Sequence, residues 1–186
     1  MFNELSRSCI TIRKFKPSDV DGLFEVLGDA EVMRYVEPPF SFEQTKAFVQ
    51  KYGLCAEPKV FALIIDKSKS ADYDTTIQGN TWDKRCRGHV IYHTFNDEAL
   101  EKKYGKGKVF ELGFVIAKEF WHKGIATTCA NLLIDYSKTA GVKALVIECD
   151  PCNVASVRLA EKLGFIPYNQ ADKSSADNLL TFVLSF

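Results

Sequence analysis

Between Glu111 and Thr127 the chain reads Glu-Leu-Gly-Phe-Val-Ile-Ala-Lys-Glu-Phe-Trp-His-Lys-Gly-Ile-Ala-Thr: a carboxylate, an apolar strand, a short basic turn and a helix that starts at a glycine. A helix start exposes backbone N–H groups without partners and carries about half a positive charge, so it favours a phosphate. Gly124 and Ala126 leave no bulk between those groups and an incoming diphosphate. The turn matches neither the dinucleotide pattern G-x-G-x-x-G nor the Walker pattern G-x-x-x-x-G-K-[ST], so a diphosphate of another kind is expected. The competing reading is an ordinary glycine-initiated helix with no ligand, with Lys123 a solvated turn lysine.

Other residues could do chemistry in more than one way. Glu111 is a carboxylate inside an apolar strand, which needs either a proton-transfer role or a structural ion pair. Asn153 stands where a helix begins and could simply cap it. Ser156 lies one turn along, and Arg158 and Lys162 follow on the same helix, facing phosphate or solvent. Six cysteines sit at 9, 55, 86, 129, 149 and 152, and only Cys149-x-x-Cys152 is closely spaced. A zinc site needs a second such pair or two histidines at helical spacing, and His89, His93 and His122 do not supply one. No metal is expected, and the cysteines read as reduced and structural.

These residues need a scaffold, and the hydrophobic pattern supplies one. Strands are predicted at Ile10–Phe15, Val60–Ile65, Gly88–His93, Val109–Ala117, Ala144–Ile147, Phe165–Tyr168 and Leu179–Phe186. Helices are predicted from Pro17 to near Gly28, from Ser41 to about Tyr52, at Gly124–Thr139, and at Asn153–Leu163 closed by Gly164. The Gly124–Thr139 helix carries an apolar stripe at Ile125, Cys129, Leu132, Leu133 and Tyr136. Residues 96–108 read as a charged connection and 67–87 as a polar surface insertion. The expected fold is one α/β domain over residues 1–186, with a mixed sheet of about seven strands and helices on both faces.

The chain has 186 residues, 46% hydrophobic and 12% aromatic, enough to bury a core. Its 24 basic and 24 acidic residues cancel, so no nucleic-acid partner is expected. Met1 to Phe15 has no signal-peptide h-region, and no apolar run approaches the roughly 18 residues of a spanning helix. A soluble, cytoplasmic protein is expected, without a membrane partner.

Taken together, these segments resemble the GNAT superfamily of N-acetyltransferases, and its RimJ/RimL-type branch in particular. The superfamily binds acetyl-CoA with a [QR]-x-x-G-x-[GA] turn, and the matching residues are Trp121-His122-Lys123-Gly124-Ile125-Ala126. An aromatic first position is common in that branch, whereas His122 stands where it has a glycine. Asn153-Val-Ala-Ser156 followed by Glu161-Lys-Leu-Gly-Phe165 resembles a second family block. Asp29-Ala-Glu-Val-Met-Arg-Tyr35 with Pro38 and the Ser41-x-Glu43 helix resembles the branch's acceptor side. The three blocks keep the family's order over nearly the whole chain.

The resemblance implies that residues His122, Lys123, Gly124, Ile125, Ala126 and Thr127 hold the CoA diphosphate. It implies that the fourth and fifth strands splay near Phe114, Val115 and Ile116, where the pantetheine arm pairs and the Val115 N–H polarises the thioester. Asn153 and Ser156 would contact that arm or the transferred group. Glu111 is the first candidate base, with Glu148 and His93 in reserve; Ser156 or Tyr168 would protonate the leaving sulfur. The acceptor must arrive as a free amine. At pH 7 deprotonation costs about 1.4 kcal/mol for an α-amine and about 4.6 kcal/mol for a lysine. A modest base is enough for a protein N-terminus, which leads a polyamine, an aminoglycoside or an amino-acid-like toxin as acceptor. Direct transfer in a ternary complex is expected, with Cys149 or Cys152 as acyl carrier the rival. A non-catalytic CoA sensor is the alternative of another class, and the assembly is expected to be a monomer or homodimer.

Overall fold

Strands and helices alternate along this chain, and the computed structural model describes it over residues 2–66, 85–168 and 178–186. β1 (Glu4–Arg7) and β2 (Ile10–Arg13) form a hairpin whose turn holds Ser8 at φ 53°. Pro17–Asp19 winds one 3-10 turn into α1 (Val20–Leu27). The Asp29 carboxylate then accepts from the Glu31 and Val32 N–H groups and starts α2 (Ala30–Met33). A Ser41/Gln44 capping box starts α3 (Phe42–Phe48), which loosens into a π turn at Val49–Gly53.

β3 (Val60–Ile65), β4 (Cys86–Thr94), α4 (Glu98–Tyr104), β5 (Val109–Ile116), α5 (Ile125–Thr139), β6 (Ala144–Cys149), α6 (Val154–Lys162), β7 (Ile166–Pro167) and β8 (Leu180–Ser185) complete the chain. The sheet order is β1-β2-β3-β4-β5-β6-β8-β7, and β5–β6 is the parallel pair. One face packs Leu112, Ile116, Leu145 and Ile147 against α5 and against Ala160 of α6. The other packs Ala62 and Val115 under α1 to α3, and Val109 and Val146 beside Leu100 of α4.

Among the described residues the sheet has eight strands rather than seven. The hairpin strand β1 is mostly exposed and four residues long, so it leaves little apolar signature. The charged connection at 96–108 contains α4, which Asp97 caps through the Leu100 N–H at 2.9 Å. Residues 67–84 of the expected polar insertion lie outside the described residues, while Cys86 and Arg87 already belong to β4.

Candidate functional site

The centre of the sheet comes apart. β5 and β6 pair at Val109–Ala144, Phe110–Leu145 and Glu111–Val146, and there the ladder ends. Beyond it β5 continues against β4 to Ile116, and β6 against β8 to Cys149. The two middle strands are therefore held by their outer neighbours and open a notch between them, as the splay of the fourth and fifth expected strands required.

Which backbone groups face the notch follows from the β4–β5 register. Phe95 N–H donates to the Val109 carbonyl and Ala117 N–H to the Arg87 carbonyl, both at 2.9 Å, with an unbroken ladder between. In an antiparallel pair such bonds recur every second residue. Odd-numbered β5 residues therefore bond β4, and the N–H groups of Phe114 and Ile116 point into the notch. This corrects Val115 as the expected thioester donor: its N–H is committed to β4, and its buried side chain packs under α1 to α3.

The turn after β5 makes the second half of the site. Lys118–Phe120 forms a 3-10 turn, and Gly124 caps α5 in the left-handed region at φ 75°. A Cβ at Gly124 would find nothing within 4 Å, so the space over it is open. The first backbone bond of the helix runs from Thr128 N–H to the Gly124 carbonyl at 3.0 Å. Among the described residues, the N–H groups of 122 to 127, six in succession, make no well-formed backbone hydrogen bond. His122 sits at φ 59°, a conformation that glycine adopts most easily. The Lys123 and His122 side chains are exposed. This is an anion cradle of backbone donors at a helix start.

On the α5 side of the notch stands the start of α6. The Asn153 side chain accepts from the Ser156 N–H at 3.2 Å, so it caps the helix. Ser156 is half-buried there, while Arg158 and Lys162 are exposed, in keeping with a solvated role. Cys149 is buried under the same face, and burial pushes its thiol pKa up, away from the thiolate an acyl carrier needs. Cys86 and Cys129 are pushed up to about 12 by burial, which makes them inert.

The opposite face carries polar groups drawn from four strands. Strand pairing sets His93 across from Glu111, with Nε2 3.2 Å from Oε2. His93 Nδ1 lies 2.9 Å from the Thr94 carbonyl, which can only accept, so Nδ1 carries a hydrogen. A lone pair on Nε2 would then face a carboxylate lone pair, and the contact holds only with a proton between the two atoms. His93 and Glu111 thus form one acid–base couple. Desolvation raises the Glu111 pKa first, Glu148 adds to the rise, and His93 and Lys59 oppose it. Glu148, two residues past Val146 on the same face, accepts from the Thr181 hydroxyl at 3.2 Å. Tyr168 shares this face, its N–H bonded to the Thr181 carbonyl at 2.8 Å. Ser156 and Tyr168 therefore stand on opposite sides of the sheet.

Two features escaped sequence reasoning. The Trp121 indole N–H donates to the Ile116 carbonyl at 2.8 Å. His89, on the Glu111 face, is buried with Nδ1 unpartnered, its ring 5.1 Å from that of Phe48. Burial lowers its pKa to about 4, so it is neutral. Neither could be found without the strand register. At the mouth of the notch an open cleft of about 880 Å³ is lined by Arg34, Tyr35, Glu37, Asp150, Cys152 and Leu179, among others. The described residues contain no cluster of three metal-ligating side chains, and none of their helices is long and apolar enough to cross a membrane.

Known proteins share this fold. The family model described as the acetyltransferase (GNAT) domain matches residues 10–166. The uncharacterized N-acetyltransferase YnaD of Bacillus subtilis is 28% identical over 158 residues, covering 83% of this chain and 78% of that protein. A GNAT-family acetyltransferase structure from Bacillus anthracis superposes with a TM-score of 0.75 at 22% identity, over 98% of both chains. A spermidine N-acetyltransferase from Vibrio cholerae, solved with CoA and spermine, gives 0.68 at 19% identity over 96% of both.

Proposed function

The chain belongs to the GNAT acetyltransferase family and is an N-acetyltransferase; from that premise we propose that it moves an acetyl group from acetyl-CoA to the α-amine at a protein or peptide N-terminus. The proposal covers residues 1–186 as one catalytic domain, working in the cytoplasm as a monomer or homodimer. The observation that carries it is the joining of an open sheet notch to six consecutive N–H groups without a well-formed backbone bond. The Trp121–Ala126 turn and the Asn153-x-x-Ser156 block favour the RimJ/RimL-type branch.

Acetyl-CoA supplies the activated acetyl group. The N–H groups of residues 122–127 hold its diphosphate, and those of Phe114 and Ile116 face the thioester across the notch. A fixed donor of this kind, aimed at an oxygen that gains charge, is typically worth about 3–4 kcal/mol in acyl transfer. The His93–Glu111 couple takes the amine's proton, directly or through water. Its raised carboxyl pKa suits it to an amine whose own value is near 8. Ser156 stands on the cradle side of the sheet, where the sulfur leaves, and is the better placed acid; Tyr168, on the amine's side, is the reserve. Asn153 holds the start of α6, and with it Ser156, in position.

A polyamine is the second reading. Glu37 and Asp150 line the cleft while Glu111 and Glu148 share the face beneath, which suits a multiply charged amine. One experiment ranks the readings: acetyl transfer to a panel of peptides with free N-termini, spermidine and lysine, alongside thermal stabilisation by CoA. Peptide turnover above spermidine turnover is expected. The reverse order establishes the polyamine reading, stabilisation without turnover a CoA sensor, and no stabilisation refutes them all.

A further inference from the structure

The two halves of the cofactor site are tied by one side chain. Ile116 is the last β5 residue whose backbone faces the notch, and its carbonyl is not free: the Trp121 indole N–H occupies it at 2.8 Å. Trp121 also donates its backbone N–H to the Lys118 carbonyl at 3.0 Å, and Phe120 donates to Ala117 at 2.9 Å. The loop from Ile116 to Trp121 is thereby closed on itself by three hydrogen bonds. Phe120 anchors it in the α5-side core, and the half-buried Trp121 ring packs on the α1–α3 side. The next residue, His122, is the first of the six cradle donors.

We infer that Trp121 is a positioning residue that sets the spacing between the diphosphate cradle and the thioester edge of β5. The inference rests on the acetyl-CoA reading of the notch. A strand edge offers donor and acceptor groups in alternation, and an extended amide-bearing arm can pair with it in more than one register. With the Ile116 carbonyl taken, Phe114 is the residue whose N–H and carbonyl both remain free beyond the last β5–β6 bridge. The arm then has one register, and the thioester has one depth in the notch. Without the indole bond the Ile116 carbonyl becomes a second docking point, two residues nearer the cradle. Since β5 rises about 3.4 Å per residue, an arm shifted that far misplaces the acetyl carbon by more than a bond length. Such misplacement acts on turnover.

The variant Trp121→Phe removes the N–H and keeps an aromatic ring. ADP probes the cradle alone, CoA the cradle with the arm, and acetyl-CoA turnover the depth of the thioester. The expected result is unchanged ADP affinity, a CoA affinity weakened about 3-fold and a kcat lowered about 10-fold, in line with the loss of one hydrogen bond and of alignment. Wild-type kcat and CoA affinity in a folded variant overturn the inference, as does an equal loss for ADP and CoA. If wild-type protein binds neither, the acetyl-CoA reading itself fails. A second measurement needs no Trp121 variant. The sequence has two tryptophans, Trp82 and Trp121, so two indole N–H signals are expected and Trp82→Phe assigns them. A Trp121 indole proton protected from solvent exchange supports the bond; one that exchanges at the rate of free tryptophan overturns it.

Discussion

The cradle at residues 122–127 and the polar face around Glu111 serve one reaction but are made differently. The cradle is backbone: its donors are peptide N–H groups, and side chains matter there for being small or out of the way. The polar face is side chain: His93, Glu111, Glu148 and Thr181 come from β4, β5, β6 and β8 and meet through strand pairing. A backbone site tolerates change in most side chains and fails where the chain geometry itself is altered. A side-chain site fails at single atoms and does so in a pH-dependent way.

The contrast breaks hardest at Gly124. A valine there must enter the left-handed region, which costs about 1–2 kcal/mol, and it fills the open space over the turn. CoA affinity should fall about 100-fold, the equivalent of losing one or two charge-assisted bonds, as calorimetric titration would show. Unchanged affinity in folded protein would mean that the cradle is not where the diphosphate sits.

On the other side, Glu111→Gln should lower kcat at pH 7 about 100-fold with CoA affinity intact, the usual scale for a lost general base. The deficit should shrink toward pH 9, where more of the amine arrives unprotonated. A loss equal at both pH values would assign Glu111 to structure.

A smaller effect separates His93 from Glu111. His93 opposes the rise of the Glu111 pKa, so His93→Gln leaves burial and Glu148 to push it further up. A raised carboxyl pKa means a base that stays protonated to higher pH. The ascending limb of the kcat/KM profile should therefore move to higher pH, costing more on its acid side than at alkaline pH. A limb that stays in place would show that His93 does not tune the Glu111 carboxyl.

The smallest effect lies where the two kinds of site meet. Asn153→Ala should destabilise the fold by about 1 kcal/mol through its lost cap, while Asn153→Ser restores stability. If serine restores acetyl-CoA KM as well, Asn153 acts by holding α6; if KM stays high, its amide touches the ligand.

The same contrast explains how much was legible. The cradle is contiguous, so Gly124, Ala126 and the strand before them announced it. The α5 stripe from Ile125 to Tyr136 and the buried strands followed from periodicity. Glu111 was visible as a misplaced charge, but its couple with His93 depends on a register that brings together residues 18 positions apart. The donor at Val115 was misjudged by one residue for the same reason: alternation is certain within a strand, and its phase is set by the partner. β1 and α4 were missed because their exposed residues carry little hydrophobic pattern.

The rims of the sheet give the notch another meaning. At one rim β1 is four residues long and presents Glu4 and Arg7; at the other β7 has two residues and ends in Pro167, which has no N–H to offer. Short, charged or proline-bearing edges resist growth by a neighbouring molecule. Among the described residues the outer strands therefore offer little to a neighbouring sheet, while the Phe114–Ile116 edge stays open inside it. A peptide inhibitor built as an extended strand should find this interior berth rather than either rim, which makes β5 the edge to target in blocking the protein.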